Sequence, residues 1–336
     1  MAPLVTFIVP VYNTRKYLRS CLSSLLDQGL EDGLFEIVFI NDGSSDGSEI
    51  LCAEFANRYS FIRIISQNNM GLSAARNSGI RAALGEYLCF VDPDDQLRTG
   101  GIASLLQYCN GKNDLIRFWY ELVYPKAKHT VGLGDGRVTF AGSGHDYLCQ
   151  FGLESFCCNY LYRRQFLEKS RLFFVEGLIG EDFPFMFDVL MTNPSIISVA
   201  RRIYQYNINP NSISTTRTPD HSRRWVQDLL GSMSRIARIL DSFKVSDIAL
   251  YRSCRFSLEK KTLSLFSRSL SARYTKGEFR QVLSSCKSAG LLPFQFQSNI
   301  VISLLARFPF LYPIASFLFR LLFLPFIYPT INKTHD

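Results

Sequence analysis

Short apolar runs alternate with segments of helical spacing over the first hundred residues. The runs are rich in β-branched and aromatic residues, as in "LVTFIVPVY", "FEIVFIND", "FIRIIS" and "EYLCFVD". Runs that are apolar on both faces are typical of parallel strands covered by helices. The segments between them, such as "TRKYLRSCLSSLLDQG" and "SEILCAEFANRY", have helical spacing, with Thr14 and Ser48 as polar starting residues. The pattern predicts an α/β fold with right-handed strand–helix–strand crossovers.

Polar residues follow three of the predicted strands. Tyr12 and Asn13 follow the first strand, residues 41–46 ("NDGSSD") close the second, and residues 92–95 ("DPDD") close the last of the series. In doubly wound α/β sheets, ligands collect beyond the carboxyl ends of the strands. We therefore expect a binding site at this edge of the sheet.

The "DPDD" stretch allows two interpretations. Asp is common in turns, Pro93 suits a turn, and Asp94 or Asp95 could cap a following helix. Alternatively, the clustered carboxylates serve a hard divalent cation, Mg²⁺ or Mn²⁺, which takes oxygen ligands and keeps substrate phosphates in its other positions. A capped turn needs only one acid, whereas this stretch supplies three.

Charge and hydropathy change towards the end of the chain. The net charge of +8 is concentrated between residues 217 and 287, where 15 Lys and Arg stand against 6 Asp and Glu, and a strongly apolar stretch follows. Arg307 and Arg320 interrupt that stretch, leaving 12 uncharged residues between them, whereas a spanning helix needs about 20. We expect the tail to lie in or dip into the cytoplasmic leaflet, with the basic segment near anionic headgroups. Helices packed on the protein and a true span are the alternatives.

A basic segment that leads into an apolar tail favours a membrane surface over a nucleic acid as partner. The nine cysteines have no C-x-x-C spacing and mostly stand in apolar surroundings. They are typical of reduced thiols in a cytoplasmic protein. We therefore expect a cytoplasmic protein that is peripheral or monotopic on the inner face of the cell membrane and does not bind nucleic acid.

Five motifs occur in an order that resembles a known family. They are "FIVPVYN", "INDGSSDGS", "QNNMGLSAARNSGI", "FVDPDD" and "GEDFPF". Over roughly residues 3–215 this series is similar to that of family 2 glycosyltransferases with the GT-A fold, the inverting enzymes that build bacterial polysaccharides. The resemblance implies a nucleotide-sugar-binding half in residues 1–99 and an acceptor-side half of the same catalytic domain in residues 100–216. Residues 217–336 would form the basic helical segment and the membrane-associating tail.

The resemblance also implies roles for single residues. Pro10 and Tyr12 match the exit of the first strand, which in the family lies beside the nucleotide base. Asp42 matches the acid that hydrogen-bonds the uracil ring, and Arg76 matches an arginine that helps to hold the nucleotide. Their side chains suit these roles, because a carboxylate accepts a ring N–H and a guanidinium is a planar fork for oxygen atoms.

Two further pairs complete the predicted site. Asp92 and Asp94 match the family's D-x-D, with Asp94 in direct contact with Mn²⁺ or Mg²⁺ and Asp92 towards the ribose or the water shell of the metal. Glu181 and Asp182 match the family's E-D pair, whose Asp takes the proton from the acceptor hydroxyl. The alternative for Asp182 is a cap of the helix that begins near Pro184, and the two roles are compatible.

The combined expectation is an inverting, metal-dependent transfer of a sugar from a nucleotide-sugar, most simply a UDP-sugar, to a saccharide or lipid-linked saccharide. A nucleotidyltransferase is one alternative, but "PVYNTRKY" lacks the glycine-rich phosphate loop expected there. The other is a membrane-associated, non-catalytic partner protein with a degenerate GT-A fold. The intact Asp42, Asp92, Asp94 and Asp182 argue against that alternative.

Overall fold

The computed structural model describes residues 2–124, 127–130, 134–209 and 212–292. The chain forms two compact units. The first contains Met1–Tyr147, Ser155–Gly177 and Phe185–Ile208, and the second contains Leu148–Glu154, Leu178–Pro184 and the chain from Asn209 onward.

A mixed sheet of ten strands forms the centre of the first unit. The strands are β1 (Val5–Val11), β2 (Phe35–Asp42), β3 (Ile62–Gln67), β4 (Tyr87–Phe90), β5 (Gln96–Leu97), β6 (Leu115–Tyr124), β7 (Ala127–Thr130), β8 (Val138–Ser143), β9 (Tyr160–Arg163) and β10 (Ser195–Asn207). Their order is β3-β2-β1-β4-β9-β6-β10-β5, while β7 pairs with β6 and β8 with β10. The ladders joining β3, β2, β1 and β4 are parallel, as is that between β6 and β10. The sheet turns antiparallel at β9.

The helices of this unit are α1 (Arg15–Leu26), α2 (Ser48–Arg58), α3 (Leu72–Ala82) and α5 (Arg164–Lys169), with a 3₁₀ helix at Ala103–Tyr108. Two further helices, α4 (Gly144–Phe151) and α6 (Asp182–Met191), have residues in both units. The predicted alternation of strands and helices over the first hundred residues is confirmed. The expected starting residues differ in detail. Thr14 precedes α1 but makes no side-chain cap, and α2 begins at Ser48 after Gly47, which has a positive φ.

These segments form strands because they carry apolar residues on both faces and bury them. All residues of β1 and β2 are buried. Beside β4, the rings of Phe90, Tyr162, Phe174 and Phe185 form an aromatic cluster in which Phe174 and Phe185 stack with centroids 3.8 Å apart. Buried aromatic pairs of this kind hold the carboxyl end of β4, and with it the following acidic residues, in a fixed place.

Four helices make up most of the described part of the second unit: α7 (Pro219–Asp241), α8 (Phe243–Ser246), α9 (Ile248–Ser271) and α10 (Lys276–Ser288). Apolar residues at helical spacing on α7, including Met233, Ile236 and Leu240, are buried as α7 packs against α9. α10 begins with a capping box formed by Thr275 and Glu278. The basic segment between residues 217 and 287 is mainly helical, as its sequence predicts.

None of the helices in the described ranges combines the length and the apolar composition that crossing a bilayer requires. The apolar tail from residue 293 onward lies outside the described residues. The expected membrane association of this tail therefore stays a prediction. All nine cysteines fall within them and are free thiols, seven of them buried.

Candidate active site

Three parallel strands, β1, β2 and β4, end at the same edge of the sheet, where the residues predicted to bind the nucleotide-sugar follow them. In the ladder between β1 and β2, Pro10 pairs with Ile40, and in the ladder between β1 and β4, Ile8 pairs with Phe90. The residues that follow these strands therefore leave the sheet side by side. Pro10 is buried in β1, whereas the Tyr12 side chain is 49% exposed, so its ring is accessible beside the strand exit.

The loops that follow β1 and β2 are tied to one another. The Asn13 amide donates to Ser44 Oγ at 3.1 Å, and the Ser45 amide donates to Asn13 Oδ1 at 2.8 Å. Asn13 adopts a φ of 52°, which Asn tolerates better than most residues. The two loops thus form one rigid border of the edge.

Asp42 is buried and has several hydrogen-bond partners within the protein, in addition to the ligand contact predicted for it. Its side chain is buried, and its carboxylate accepts hydrogen bonds from the Met70 amide at 2.9 Å, the Gly71 amide at 2.8 Å and Gln67 Nε2 at 2.8 Å. Asp42 therefore holds the turn that starts α3, a task that the motif did not indicate. A carboxylate has about four acceptor positions, so one is left for a ligand N–H. Contact with a uracil ring stays a prediction.

Arg76 directly contacts residues 92–95, which we call the acidic loop. The residue is 1% exposed, its Nη2 donates to Asp92 Oδ1 at 2.9 Å, and its guanidinium lies over the ring of Phe174 at 5.2 Å. Breaking a buried pair by removing one partner costs about 3–5 kcal/mol, because an uncompensated charge remains. Arg76 thus fixes the Asp92 carboxylate. A nucleotide contact by Arg76 stays a prediction.

Asp95 is held from the other side by the carboxyl end of β10. Tyr204 donates its hydroxyl proton to Asp95 Oδ2 at 2.7 Å and accepts from the Asp92 amide at 3.1 Å. The Asn207 amide donates to Asp95 Oδ1 at 2.7 Å, and Asn207 Nδ2 donates to the Asp94 carbonyl at 2.8 Å. The interpretation of Asp94 or Asp95 as a helix cap is wrong, because the two-residue strand β5 follows the loop.

The negative charge of the loop is visible in the pKa values around it. Burial raises the pKa of Asp95 well above its ordinary value, and the Asp92 and Asp94 carboxylates raise it further. Burial also raises the pKa of the Cys21 thiol, with Asp95, Asp94 and Asp92 adding to the effect. Three acids close enough to oppose one another's ionisation would gain from a nearby cation.

The loop does not form a complete metal cage. Within the described ranges, no group of three or more His, Cys, Asp or Glu side chains is arranged as a metal site. The oxygen donors of Asp92 and Asp94 fit an ion held by one or two carboxylates with substrate phosphates supplying other ligands, as Mg²⁺ often is. Arg76 occupies one oxygen of Asp92, and direct contact of Asp94 with a metal ion stays a prediction.

Glu181 and Asp182 belong to the second unit, at the start of α6. Glu181 is buried and Asp182 is the first residue of the helix, with Pro184 in the first turn. Lys261 of α9 places its ammonium 5.0 Å from the ring centroid of the neighbouring Phe183. Burial lowers the pKa of Lys261 to about 8, while the Asp182 carboxylate acts in the opposite direction. The predicted base is thus within the electrostatic reach of a lysine that the sequence motifs did not indicate.

The segment before Asp182 is also fixed by α7. The Ile179 amide donates to Asp228 Oδ2 at 3.0 Å, and Gly180, at a φ of +81°, lies against the indole of Trp225. The predicted convergence of Asp94 with Asp182 joins residues of two different units and stays a prediction.

Similarities to known proteins agree with the motif series. The chain is 33% identical to EpsH of Bacillus subtilis (strain 168) over 218 residues, which are 63% of this chain and 62% of that protein. It is 34% identical to the uncharacterized glycosyltransferase EpsJ of the same organism over 221 residues, 64% of each chain. The matched part is therefore less than two thirds of the length of either relative.

A solved structure shares the fold. The structure of S. aureus TarS 1-349 in complex with UDP-GlcNAc matches with a TM-score of 0.56 at 18% identity, covering 94% of this chain and 89% of that one. The fold is accordingly α/β and GT-A-like, as the sequence predicted. The family model described as "Glycosyl transferase family 2" matches residues 6–129, which run from β1 through the acidic loop to β7. The match to this family model covers less than half of the chain.

Proposed function

We propose that the protein is an inverting glycosyltransferase that moves a sugar from a nucleotide-sugar to a hydroxyl of a saccharide or lipid-linked saccharide. The observation that supports it best is the acidic loop, residues 92–95. It lies at the carboxyl edge of the parallel strands and is held by Arg76 on one side and by Tyr204 on the other. A UDP-sugar is the proposed donor, since the TarS structure that shares the fold holds UDP-GlcNAc.

In the proposed site, Asp94 and Asp92 would hold Mn²⁺ or Mg²⁺. When bound, the ion supplies positive charge against the leaving diphosphate. Tyr12 and the remaining acceptor position of Asp42 would face the base, while Arg76 keeps the Asp92 carboxylate in place. Because the loop is already held in one conformation, it needs little further ordering when the donor binds.

Asp182 is the proposed general base. It would accept the proton of the acceptor hydroxyl as that oxygen forms a bond to the anomeric carbon. The bond from the anomeric carbon to the diphosphate oxygen breaks, its electron pair leaves with the diphosphate, and the configuration inverts without an enzyme-bound sugar. General-base assistance of this kind contributes about 10²–10⁴ in rate. Glu181, buried beside it, is the other proposed substrate-binding residue of this pair.

Turnover of donor and acceptor by two variants tests this proposal. Wild-type protein should hydrolyse or transfer from a UDP-sugar faster with Mn²⁺ than with a chelator, and Asp94→Ala should lose that stimulation. Asp182→Asn should bind the donor normally and lose transfer. Donor binding without turnover under any condition would favour the non-catalytic partner protein. Metal-independent turnover that Asp94→Ala leaves unchanged would remove the metal from the proposal.

We also propose that the protein meets its acceptor at the cytoplasmic membrane surface. The corner between α7 and α9 supports this. There Val245 is 95% exposed and Ile248 is 48% exposed, while the charged side chains of Lys244 and Arg252 are exposed beside them. Exposed apolar side chains flanked by basic ones suit the boundary between anionic headgroups and acyl chains.

A further inference from the structure

The segment that carries the predicted base, residues 178–184, belongs to the same compact unit as α7 and α9. Two contacts with α7 hold the chain just before the base. The Ile179 amide donates to Asp228 Oδ2 at 3.0 Å, and Gly180 lies against the indole of Trp225. The main chain that enters α6 is therefore fixed by side chains of the second unit.

One basic side chain of α9 reaches the same segment. Lys261 is half-buried, and its ammonium lies 5.0 Å from the ring centroid of Phe183, which directly follows Asp182. An ammonium over an aromatic face is attracted by the negative charge of the ring face. A cation beside the first turn of a helix is nevertheless opposed by the macrodipole, which is positive at that end. The stability of α6 therefore does not account for Lys261.

The carboxylate of Asp182 compensates this cation. Burial lowers the pKa of Lys261 to about 8, and among the described charged groups it is Asp182 that opposes this effect. The acid that α7 brings to the segment has other partners. Asp228 accepts from the Ile179 amide and lies 3.7 Å from the guanidinium of Arg224. The ammonium of Lys261 and the carboxylate of Asp182 thus act on each other within the second unit.

This arrangement meets two requirements of a general base. The base has to be ionised, and it has to be held within reach of the proton that it accepts. A nearby opposite charge favours the ionised form of a carboxylate and draws it to one side. The helix α7 therefore fixes the main chain of the segment, and α9 supplies the charge that acts on the carboxylate.

We propose that Lys261 is a positioning residue for the base, whose ammonium keeps the Asp182 carboxylate ionised and in one orientation. The inference rests on the proposed function, because it takes Asp182 to be the group that accepts the proton of the acceptor. Lys261 acts through that carboxylate and touches no reacting atom. The proton passes from the acceptor oxygen to Asp182, and Lys261 keeps its own proton.

The preceding residue of α9 offers a matched control. Lys260 is exposed, and its ammonium lies 4.4 Å from the ring centroid of Phe256. It has the same charge and the same kind of aromatic contact as Lys261, but its ring belongs to α9 itself and not to the segment that carries the base. Glu259, the next charged residue on this helix, is buried and stays unchanged in all variants.

The first measurement is hydrolysis of the UDP-sugar that the wild type turns over fastest in a panel that includes UDP-GlcNAc, with water in place of the acceptor. Lys261→Met should lower kcat on the order of 10-fold, a part of the 10²–10⁴ that a general base contributes. It should leave KM and the calorimetric affinity for UDP nearly unchanged. Lys261→Arg should restore most of kcat, because a guanidinium keeps the charge. Lys260→Met should behave as the wild type does.

The pH dependence is a readout that a purely structural role would not move. Because the pKa of Lys261 is about 8, the wild type should lose kcat as the pH rises through 8, falling towards the value of Lys261→Met. Lys261→Arg should keep its kcat over the same range, since a guanidinium stays protonated. This comparison of the wild type with Lys261→Arg does not require Lys261→Met to fold.

Urea denaturation of Lys261→Met, Asp182→Asn and the double variant tests the contact without activity. The losses of stability should not add, because the two side chains act on each other. Additive losses would overturn the inference.

The kinetic outcomes separate the two proposals. An active wild type whose kcat is unchanged in Lys261→Met, or falls equally in Lys260→Met, would overturn the inference and leave the proposed function standing. So would a change confined to KM, or equal loss of kcat above pH 8 in the wild type and Lys261→Arg. A wild type that turns over no UDP-sugar would refute the proposed function and this inference with it.

Discussion

Replacing Tyr204 by phenylalanine removes one oxygen atom from the support of the acidic loop. That hydroxyl donates to Asp95 Oδ2 at 2.7 Å and accepts from the Asp92 amide at 3.1 Å. Tyr204 is fully buried, and the ring stays in Tyr204→Phe, so no cavity forms. The buried Asp95 carboxyl and the amide of the half-buried Asp92 each lose a partner.

The expected loss of stability follows from removing these two hydrogen bonds. An unsatisfied buried polar group costs about 1–3 kcal/mol, and we expect Tyr204→Phe to lose about 2 kcal/mol of unfolding free energy. In a unit of this size, each 1 kcal/mol lowers the melting temperature by roughly 2–4 °C, so the melting temperature should fall by roughly 4–8 °C. Because the loop also carries Asp92 and Asp94, kcat/KM for the donor should fall by about 10-fold to 10²-fold.

Tyr87 provides the control, since its hydroxyl makes the same pair of bonds elsewhere. It donates to the Asn113 carbonyl at 3.2 Å and accepts from the Gly111 amide at 3.1 Å, and the residue is buried. Tyr87→Phe should destabilise the protein by a similar amount and leave donor kinetics nearly unchanged. Thermal melting and donor hydrolysis are measured on both variants. Equal loss of activity in the two, or full activity in Tyr204→Phe, would refute the claim that this hydroxyl organises the site.

Three further predictions follow from the described contacts. Arg76→Met should cost about 3 kcal/mol in urea denaturation, because it leaves Asp92 unpaired, and adding Asp92→Asn should recover part of that loss; equal stability of the single and double variants would contradict the pairing. The hydrogen bond from Arg223 lowers the pKa of Glu278 to about 2 from 4.5, so the stabilisation it provides is present above pH 4.5 and disappears as the pH falls towards 2. The melting temperatures of wild type and Glu278→Gln should therefore differ at pH 7 and converge near pH 2, and a constant difference would argue against this pair. Val245→Ser should reduce co-sedimentation with vesicles of anionic phospholipid while donor hydrolysis is kept, and unchanged co-sedimentation would remove this corner from the membrane proposal.

The elements of the first hundred residues were predictable because their signals are local. Strands apolar on both faces, such as β1 and β2, are easy to recognise, and their bounds match the apolar runs within a residue or two. The edge where Tyr12, Asp42 and Asp92 gather follows from parallel pairing alone. The helix starts were less predictable, because the Ser48 hydroxyl is used by the Thr14 amide of another loop instead of capping its own helix.

The supports of the site were not predictable, because they depend on contacts between distant parts of the chain. The sequence showed "YQYN" near the end of β10, but nothing in it indicates that Tyr204 and Asn207 meet Asp95. Asp42 likewise looked available for a ligand, whereas three of its acceptor positions serve residues 67–71. Lys261, whose charge acts on Asp182, stands in no motif, and a basic residue on a helix is usually solvated, so the sequence did not single it out.

The bonds from β10 to the acidic loop have a consequence for the order in which the protein matures during synthesis. A ribosome that has produced the first hundred residues has already made every strand of the parallel half and the whole "DPDD" sequence. The partners of Asp95 are translated 109 and 112 positions later. A nascent chain halted before residue 204 would therefore have Asp92 already paired with Arg76 while Asp95 lacks its partners, and the full support of the loop would form only after β10 has joined the sheet.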